Sequence, residues 1–223
     1  MGVSAALLGS VLLTAGLRWC NPPTSAFMVA ARMDAMFSGD LKFVFAQRWI
    51  PLVALSPWAG VAVIAAEDQN FRRHHGFDLG AVRAAVSAHQ RGAALRGAST
   101  LSQQLAKNLF LWSGRSWLRK ACEAWFTVLL ETLLDKQRIL ELYLNVIEFG
   151  SGVYGVEAAS QRYFGHSAAT LSADEAAALA AVLPNPRVYS VTSPSSYVDG
   201  RRRWILNQMR QLGGVAAMSG IKR

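Results

Sequence analysis

An acidic pair, Glu67-Asp68, is the first place in this chain where the residue types suggest chemistry. The pair follows an apolar, alanine-rich run that begins at Ser56-Pro57, where serine is a good cap and proline suits a first helical turn. This run predicts a helix that carries the two acids at its C-terminal end, where the macrodipole disfavours negative charge. Two acids at a position where the helix dipole disfavours negative charge, beside a glycine turn and two histidines, indicate catalysis. Surface pairing with the two arginines that follow is an equal alternative.

A second acid, Glu123, lies on a segment whose apolar spacing predicts one long helix from Ser116 to Leu134. Glu123 falls on or beside the polar face of this helix, together with Lys120. Arg119 stands four residues before it, a spacing typical of an ordinary ion pair on a helix surface. From these residues alone, the surface pair is the favoured interpretation of Glu123.

The elements that must position these acids are almost all helical. Helical periodicity dominates after the first apolar run, and strands do not alternate with helices. Caps are predicted at Thr100, where Gln103 completes a capping box, and at Asp78 and Asp135. A short strand or helix is expected around residues 41–45. The fold class is therefore predicted to be all-α, or nearly so.

The composition narrows the class of partner. The chain has 223 residues, a formal net charge of +9, 52% hydrophobic residues and only 17% charged residues. The positive charge predicts an anionic partner, which is nucleic acid, an anionic lipid or a phosphate-bearing substrate. Nucleic acid ranks last, because no basic cluster alternates with aromatic residues on a predicted strand and no zinc-finger spacing is present. Cys20 and Cys122 are too few for a disulfide framework and are predicted to be free thiols.

The N-terminal segment bears on the compartment. Residues 1–17 carry no charge and are mostly apolar, a length slightly under the roughly 20 residues that cross a bilayer. The basic residues that normally precede a signal peptide or an anchor are absent from it. We expect residues 1–20 to be a membrane anchor with a shortened start, with a cleaved signal peptide and a buried core helix as alternatives. Residues 21–50 would then form a linker and membrane-proximal segment.

Four ordered blocks, within a span from residue 57 to residue 190, match a known family. They occupy residues 65–78, 97–110, 119–131 and 136–150. In these blocks the chain resembles the family 51 glycosyltransferases, the peptidoglycan polymerases, and specifically their monofunctional members. The main departure is Ala98, which stands where the family usually has a second glycine and barely touches the chemistry. A Ser-x-x-Lys pattern at Ser219 lies at the very end of the chain and is a coincidence, so no transpeptidase domain is expected.

The resemblance implies a lysozyme-like fold of two lobes around a groove, with an N-terminal transmembrane helix. The glycosyltransferase domain would occupy residues 51–215, before a tail at residues 216–223. The implied location is the bacterial inner membrane, single-pass, with the catalytic domain on the periplasmic side. The implied partners are lipid II, the growing glycan chain and membrane lipids. Other proteins of cell-wall synthesis or division are left open, and no nucleic acid is expected.

The implied reaction serves cell wall biogenesis and cell shape. It joins C1 of MurNAc in the growing chain to the 4-hydroxyl of GlcNAc in incoming lipid II, with inversion, and releases undecaprenyl pyrophosphate. The hydroxyl needs a base, and the departing pyrophosphate needs cations. By the family match the base is Glu67, and a place near a helix C-terminus would raise its proton affinity. Glu123 either assists the leaving group or holds the cations, and these two roles stay open.

The remaining implied site residues fall into three groups. The cations expected to meet the pyrophosphate are Lys107, Arg115, Arg119 and Lys120. The residues expected to line the groove, with capping and surface polarity as the alternative, are Ser99, Thr100, Gln103, Gln104 and Asn108. Asp68 is expected to be a structural acid behind the site, and His75 is expected to stabilise the turn. A divalent cation (Mg or Mn) bound with the pyrophosphate is left open, and no metal site is assigned.

Further predictions concern two surfaces and the rival functions. Trp112 and Trp117 are candidates for insertion at the membrane interface, with core packing as the alternative. Arg201-Arg202-Arg203 is expected to form a solvated or lipid-facing patch on the last helix. The carboxyls of the two candidate acids should lie more than about 6 Å apart, as in inverting sugar chemistry. A lytic transglycosylase or muramidase that cleaves glycan and an inert membrane adaptor are the two rivals.

Overall fold

Helices make up most of the structure. The computed structural model describes residues 2–40, 43–91, 99–114, 116–219 and 221. The prediction of a mostly helical chain is confirmed. The helices of the described residues are α1 (Gly2–Gly16), α2 (Ala26–Ser38), α3 (Pro57–Glu67), α4 (Leu79–Gln90), α5 (Leu101–Phe110), α6 (Trp117–Leu133), α7 (Lys136–Val146), α8 (Val156–Phe164), α9 (Ala173–Val182), α10 (Ser196–Gln211) and α11 (Ala216–Ser219). The strands are β1 (Ala46–Gln47), β2 (Glu148–Gly150) and β3 (Val153–Tyr154).

Local hydrogen bonds explain where several helices begin. Thr100 accepts from the backbone N–H of Gln103, whose side chain accepts in return from the backbone of Thr100, so the predicted capping box opens α5. Asp135 caps α7 as predicted, at 2.7 Å from the third backbone N–H of that helix. Helix α3 also begins where expected. Ser56 is not its side-chain cap, however, because the Ser56 hydroxyl donates to the carbonyl of Leu171 at 2.6 Å.

A small three-stranded sheet lies beside the helices. Its order is β1-β3-β2, with β1 parallel and β2 antiparallel to β3. Of the strand or helix expected at residues 41–45, residues 41 and 42 lie outside the described ranges and residues 43–45 are neither strand nor helix; β1 begins at Ala46. Gly152, in the turn between β2 and β3, has φ +73°, and a Cβ there would lie 2.3 Å from the carbonyl oxygen of Val44. Only glycine fits this crossing of two backbones.

Two clusters of buried side chains meet along α3. The larger cluster lies among α2, α5, α7 and the sheet, where Met28, Phe71 and Tyr143 are fully buried. The smaller cluster lies between α3, α9 and α10 and consists largely of alanines from the first two of these helices. Small side chains at such a contact let the helix axes approach closely. Helix α3 is therefore enclosed by both clusters, and this fixes the position of its last residue, Glu67.

The N-terminal helices pack against the rest of the chain. The indole N–H of Trp125 on α6 donates to the hydroxyl of Ser10 on α1 at 3.0 Å. The segment expected to be a linker contributes α2 and β1, and Met28 and Ala31 of α2 are buried in the larger cluster. The sequence predicts a transmembrane helix at the N-terminus. Helix α1 has 15 residues, and no helix in the described ranges combines the length and the apolar character that a membrane crossing needs.

Candidate active site

Glu67 ends α3, and both of its carboxylate oxygens have a partner. Oε2 accepts a 2.9 Å hydrogen bond from the side-chain amide of Gln104 on α5, and Oε1 pairs with Arg201 of α10 at 2.7 Å. Burial raises the pKa of Glu67 above its ordinary value, while the contacts with Gln104 and Arg201 oppose that rise. The direction is the one expected from the sequence. Its main physical cause is removal from water, whereas the sequence suggested the helix terminus.

A buried tyrosine fixes the orientation of Gln104. The Tyr143 hydroxyl donates to Oε1 of Gln104 at 3.0 Å, which leaves the amide N–H groups of Gln104 to face Glu67. Burial and the nearby negative charge of Glu67 hold the pKa of Tyr143 well above its ordinary value, so the hydroxyl keeps its proton. The carboxylate of Glu67 therefore accepts from Gln104, and the orientation of Gln104 is fixed by Tyr143.

Asp68 joins the end of α3 to the start of α5. Its carboxylate accepts from the backbone N–H of Leu101 at 2.9 Å and from Nε2 of His74 at 2.9 Å. Nδ1 of His74 in turn accepts from the backbone N–H of Gly76 at 3.1 Å, which fixes the turn that follows α3. The prediction that His75 stabilises this turn is wrong. His75 is exposed and makes no hydrogen bond within the described residues, because adjacent side chains point in different directions.

Glu123 is buried between α5 and α6, and this overturns its interpretation as half of a surface pair. Only 3% of the residue is exposed. Arg119 donates to its Oε2 at 2.7 Å, and Lys120 pairs with its Oε1. Periodicity alone placed Glu123 at the polar edge of its helix, and packing of α5 against α6 covers that edge. One buried carboxylate thus holds two cationic side chains.

Lys107 of α5 links the two acids electrostatically. Burial lowers the pKa of its ammonium group; the negative charges of Glu123 and, less strongly, Glu67 oppose this, whereas Arg119 and Lys120 reinforce it. These five side chains therefore share one electrostatic field. In the described part of the chain no hydrogen bond joins Glu67 to Glu123, since the oxygens of each acid are engaged elsewhere.

The other predicted site residues have varied places. Thr100 and Gln103 are buried and engaged in the capping box, and the Thr100 hydroxyl also donates to a backbone carbonyl. Asn108 is buried and donates to the backbone carbonyl of Gln104 at 2.8 Å. Ser99 is exposed just before α5. Arg115 lies outside the described residues. Of the five groove residues expected from the resemblance, all within the described ranges, only Gln104 forms a side-chain hydrogen bond with a candidate catalytic acid.

Comparison with known proteins decides the family. A family model described as transglycosylase matches residues 38–210. The chain belongs to the transglycosylase family. It is 57% identical over 197 residues to the biosynthetic peptidoglycan transglycosylase of Cronobacter sakazakii, which covers 88% of this chain and 82% of that protein. Proteins of the same name from Stutzerimonas stutzeri and Xanthomonas oryzae are 54% and 53% identical, over 96% and 93% of this chain and 88% and 84% of their own lengths. The family assignment carried by the four sequence blocks, and with it glycosyl transfer, is confirmed.

This member of the transglycosylase family has three buried guanidinium N–H donors without a partner. Nε of Arg119, of Arg201 and of Arg202 are shielded from solvent and meet no acceptor within the described residues. A buried N–H group is costly to leave unpaired. No group of three or more His, Cys, Asp or Glu side chains in the described ranges lies close enough together to hold a metal ion.

The sequence interpretation missed Arg201. It was expected to belong to a solvated or lipid-facing patch, but it forms the ion pair with Glu67. Its neighbour Arg202 pairs with acidic residues of α9 and α10, and Arg203 is exposed. A usable signal was present: the buried face of α10 contains Val198 and Ile205, and Arg201 stands three residues after one and four before the other. Helical spacing thus places Arg201 on the packed face.

Proposed function

We propose that this chain is a peptidoglycan glycosyltransferase that polymerises lipid II into β-1,4-linked glycan with inversion. The observation that carries the proposal is the arrangement of charges. Glu67 is a buried carboxylate with a raised pKa, Arg119 and Lys120 contact Glu123, and the charge of Lys107 interacts with both acids. A base on one side and cations on the other is what attack by a hydroxyl on a sugar pyrophosphate requires. The relatives are named biosynthetic peptidoglycan transglycosylases, which agrees with this substrate class.

Glu67 would act as the general base. Its carboxylate takes the proton from the GlcNAc 4-hydroxyl while that oxygen bonds to C1 of MurNAc. The bond from C1 to the pyrophosphate oxygen breaks in the same step, and its electron pair leaves with the pyrophosphate. Gln104 and Arg201 hold the carboxylate for this purpose, and neither has to leave for the proton to arrive because each oxygen keeps a second lone-pair direction.

Lys107, Arg119 and Lys120 would meet the negative charge that develops on the departing pyrophosphate. Both oxygens of Glu123 are already engaged by Arg119 and Lys120. This favours the role of cation holder over direct assistance to the leaving group. A divalent cation bound with the pyrophosphate and Arg115 as a ligand of the pyrophosphate both stay predictions.

The location at the inner membrane, single-pass with a periplasmic catalytic domain, and the lysozyme-like arrangement of two lobes also belong to this proposal. Support for a membrane surface comes from exposed apolar side chains on α1 and around the start of α6. They are Leu7, Leu8, Leu12, Leu13, Trp112, Trp117 and Leu118. Such residues concentrate where a protein meets lipid. Protein partners in cell-wall synthesis or division remain a prediction.

Trp112→Ser is expected to weaken binding of the protein to anionic lipid vesicles by about tenfold, because a large side chain no longer enters the interface. Trp112 is 48% exposed, so the substitution should leave the unfolding temperature nearly unchanged. Vesicle sedimentation measures the partition. Trp204→Ser on α10 is the matched control, at 40% exposure. Equal binding of the Trp112 variant and the unmodified protein would mean that Trp112 only packs against its own chain.

The decisive experiment separates polymerisation from glycan cleavage. Labelled lipid II and isolated sacculi are offered to the protein in separate reactions, and the products are resolved by size. We expect lipid II to be consumed into long glycan and the sacculi to stay intact. Release of soluble fragments from sacculi without consumption of lipid II would favour the lytic rival. Activity in neither reaction would favour the membrane adaptor.

A further inference from the structure

We propose that Arg201 on α10 is a positioning residue for Glu67, so that the last long helix completes the reaction centre. This inference rests on the proposed function of Glu67 as the base. It assigns to α10 a task that none of the four sequence blocks contains, since those blocks end at residue 150. The carboxylate is then aimed by two elements that are far apart in sequence, α5 and α10.

The geometry is that of a clamp. Arg201 holds Oε1 of Glu67 at 2.7 Å and Gln104 holds Oε2 at 2.9 Å, so the plane of the carboxylate is fixed from two directions. A charge-assisted hydrogen bond such as the one from Arg201 is shorter and stronger than a neutral one. A base must lie within hydrogen-bond reach of its proton and in the right direction, and the clamp restricts both.

Helix α10 is rigidly attached to α3, which makes Arg201 a reliable anchor. Ile205 and Met209 of α10 are buried in the smaller cluster against α3 and α9. A second polar link joins the same two regions, where the side-chain amide of Gln69 donates to Gln208 at 2.9 Å. The backbone of Arg201 is therefore held beside the end of α3, and its guanidinium also donates to the backbone carbonyl of Ala66 at 3.5 Å.

Arg201 is also the ion-pair partner of Glu67. The other charged or titratable groups that interact with Glu67 are Asp68 after α3, Lys107 on α5 and Tyr143 on α7. Asp174 and Glu175 lie on α9, which packs against α3, and are paired with Arg202 and His166 respectively. Asp68 and Tyr143 do not supply positive charge, and Lys107 is shared with Glu123. Arg201 is therefore the cation in direct contact with the base.

The test compares Arg201→Gln, Arg201→Lys and the control Arg203→Gln, which changes an exposed arginine on the same helix. The rate of lipid II consumption is measured across pH. For Arg201→Gln we expect kcat at neutral pH to fall by about a hundredfold. The acidic limb of its pH–rate profile, where the rate falls as the base is protonated, should move to higher pH. The loss of kcat should therefore be smaller in alkaline buffer. In Arg201→Lys the acidic limb should lie close to its pH in the unmodified protein, because a positive charge is retained. Arg203→Gln should have the same profile as the unmodified protein.

A second measurement does not need activity. The carboxyl carbon of Glu67 is followed by NMR in protein labelled with ¹³C-glutamate, and its signal is assigned by its absence in Glu67→Gln. We expect Glu67 to titrate at higher pH in Arg201→Gln than in the unmodified protein. An unchanged titration together with an unmoved acidic limb overturns the proposal, even if kcat falls. An unmodified protein that fails to consume lipid II overturns the proposed function, while the NMR titration still decides whether Arg201 controls Glu67.

Discussion

Glu67→Gln is expected to lower the rate of lipid II polymerisation by about 10²–10⁴-fold, the range that a positioned general base contributes. Glutamine has nearly the shape of glutamate and can still contact Gln104, but it cannot take up the proton of the acceptor hydroxyl. The initial rate of consumption of labelled lipid II measures the effect. Wild-type activity in this variant would exclude Glu67 as the base and would require a different one.

Folding and catalysis can be separated in this variant. The pKa of Glu67 is raised in the folded protein, so its ionised form is disfavoured there relative to the unfolded chain. Its contribution to stability is therefore fully present below the unfolded pKa and is lost as pH rises through the folded pKa. At neutral pH we expect Glu67→Gln to unfold at the same or a higher temperature. Glu175→Gln on the neighbouring α9 is the control and should keep its activity.

The same shift sets a pH dependence for the unmodified enzyme. The base form of Glu67 is lost as pH falls through a pKa that lies above the ordinary value for glutamate. The acidic limb of the rate profile should accordingly lie at a higher pH than an exposed glutamate would give. This limb should be absent from the residual activity of Glu67→Gln. A limb that persists unchanged in that variant would belong to another group.

The helix boundaries followed from the sequence because their causes are local. The capping box of Thr100 and Gln103 and the cap at Asp135 depend on hydrogen bonds that reach only three residues along the chain. The position of Glu67 at the end of α3 followed in the same way, since the apolar run before it predicts where that helix ends. Recognition of the family then supplied the roles that local rules do not contain.

The packing of helices against one another could not be obtained from local rules. Periodicity places Glu123 at the edge of a polar face, but only the contact with α5 reveals that the edge is covered. The choice between His74 and His75 depends on which ring points at Asp68, a matter of tertiary geometry. Arg201 stands in the buried stripe of α10, yet the stripe does not tell which acid it meets. Contacts between residues far apart in the sequence could therefore not be predicted from local patterns.

Glu123→Gln is expected to lower kcat for polymerisation by about 10²–10³-fold, as loss of a preorganised electrostatic contact does. Arg119 and Lys120 are adjacent on α6 and converge on Glu123. Without its negative charge the two cations repel each other and separate, so the charge that should meet the pyrophosphate is dispersed. The control is Glu131→Gln, which breaks the ion pair between another acid of α6 and Lys136 at the start of α7. That variant should lose stability but keep kcat below its unfolding temperature.

A double-mutant cycle with Arg119→Ala decides between the two roles of Glu123. If Glu123 acts only by holding the cations, Arg119→Ala should cost much less in the Glu123→Gln protein than in the unmodified one, because the guanidinium is already displaced. Additive losses would mean that Glu123 contacts the substrate or its leaving group independently of Arg119. Full activity of the single variant Glu123→Gln would exclude a catalytic role for Glu123, and its two ion pairs would then be structural contacts. The expected non-additivity follows from a carboxylate whose two oxygens are already engaged by neighbouring cations.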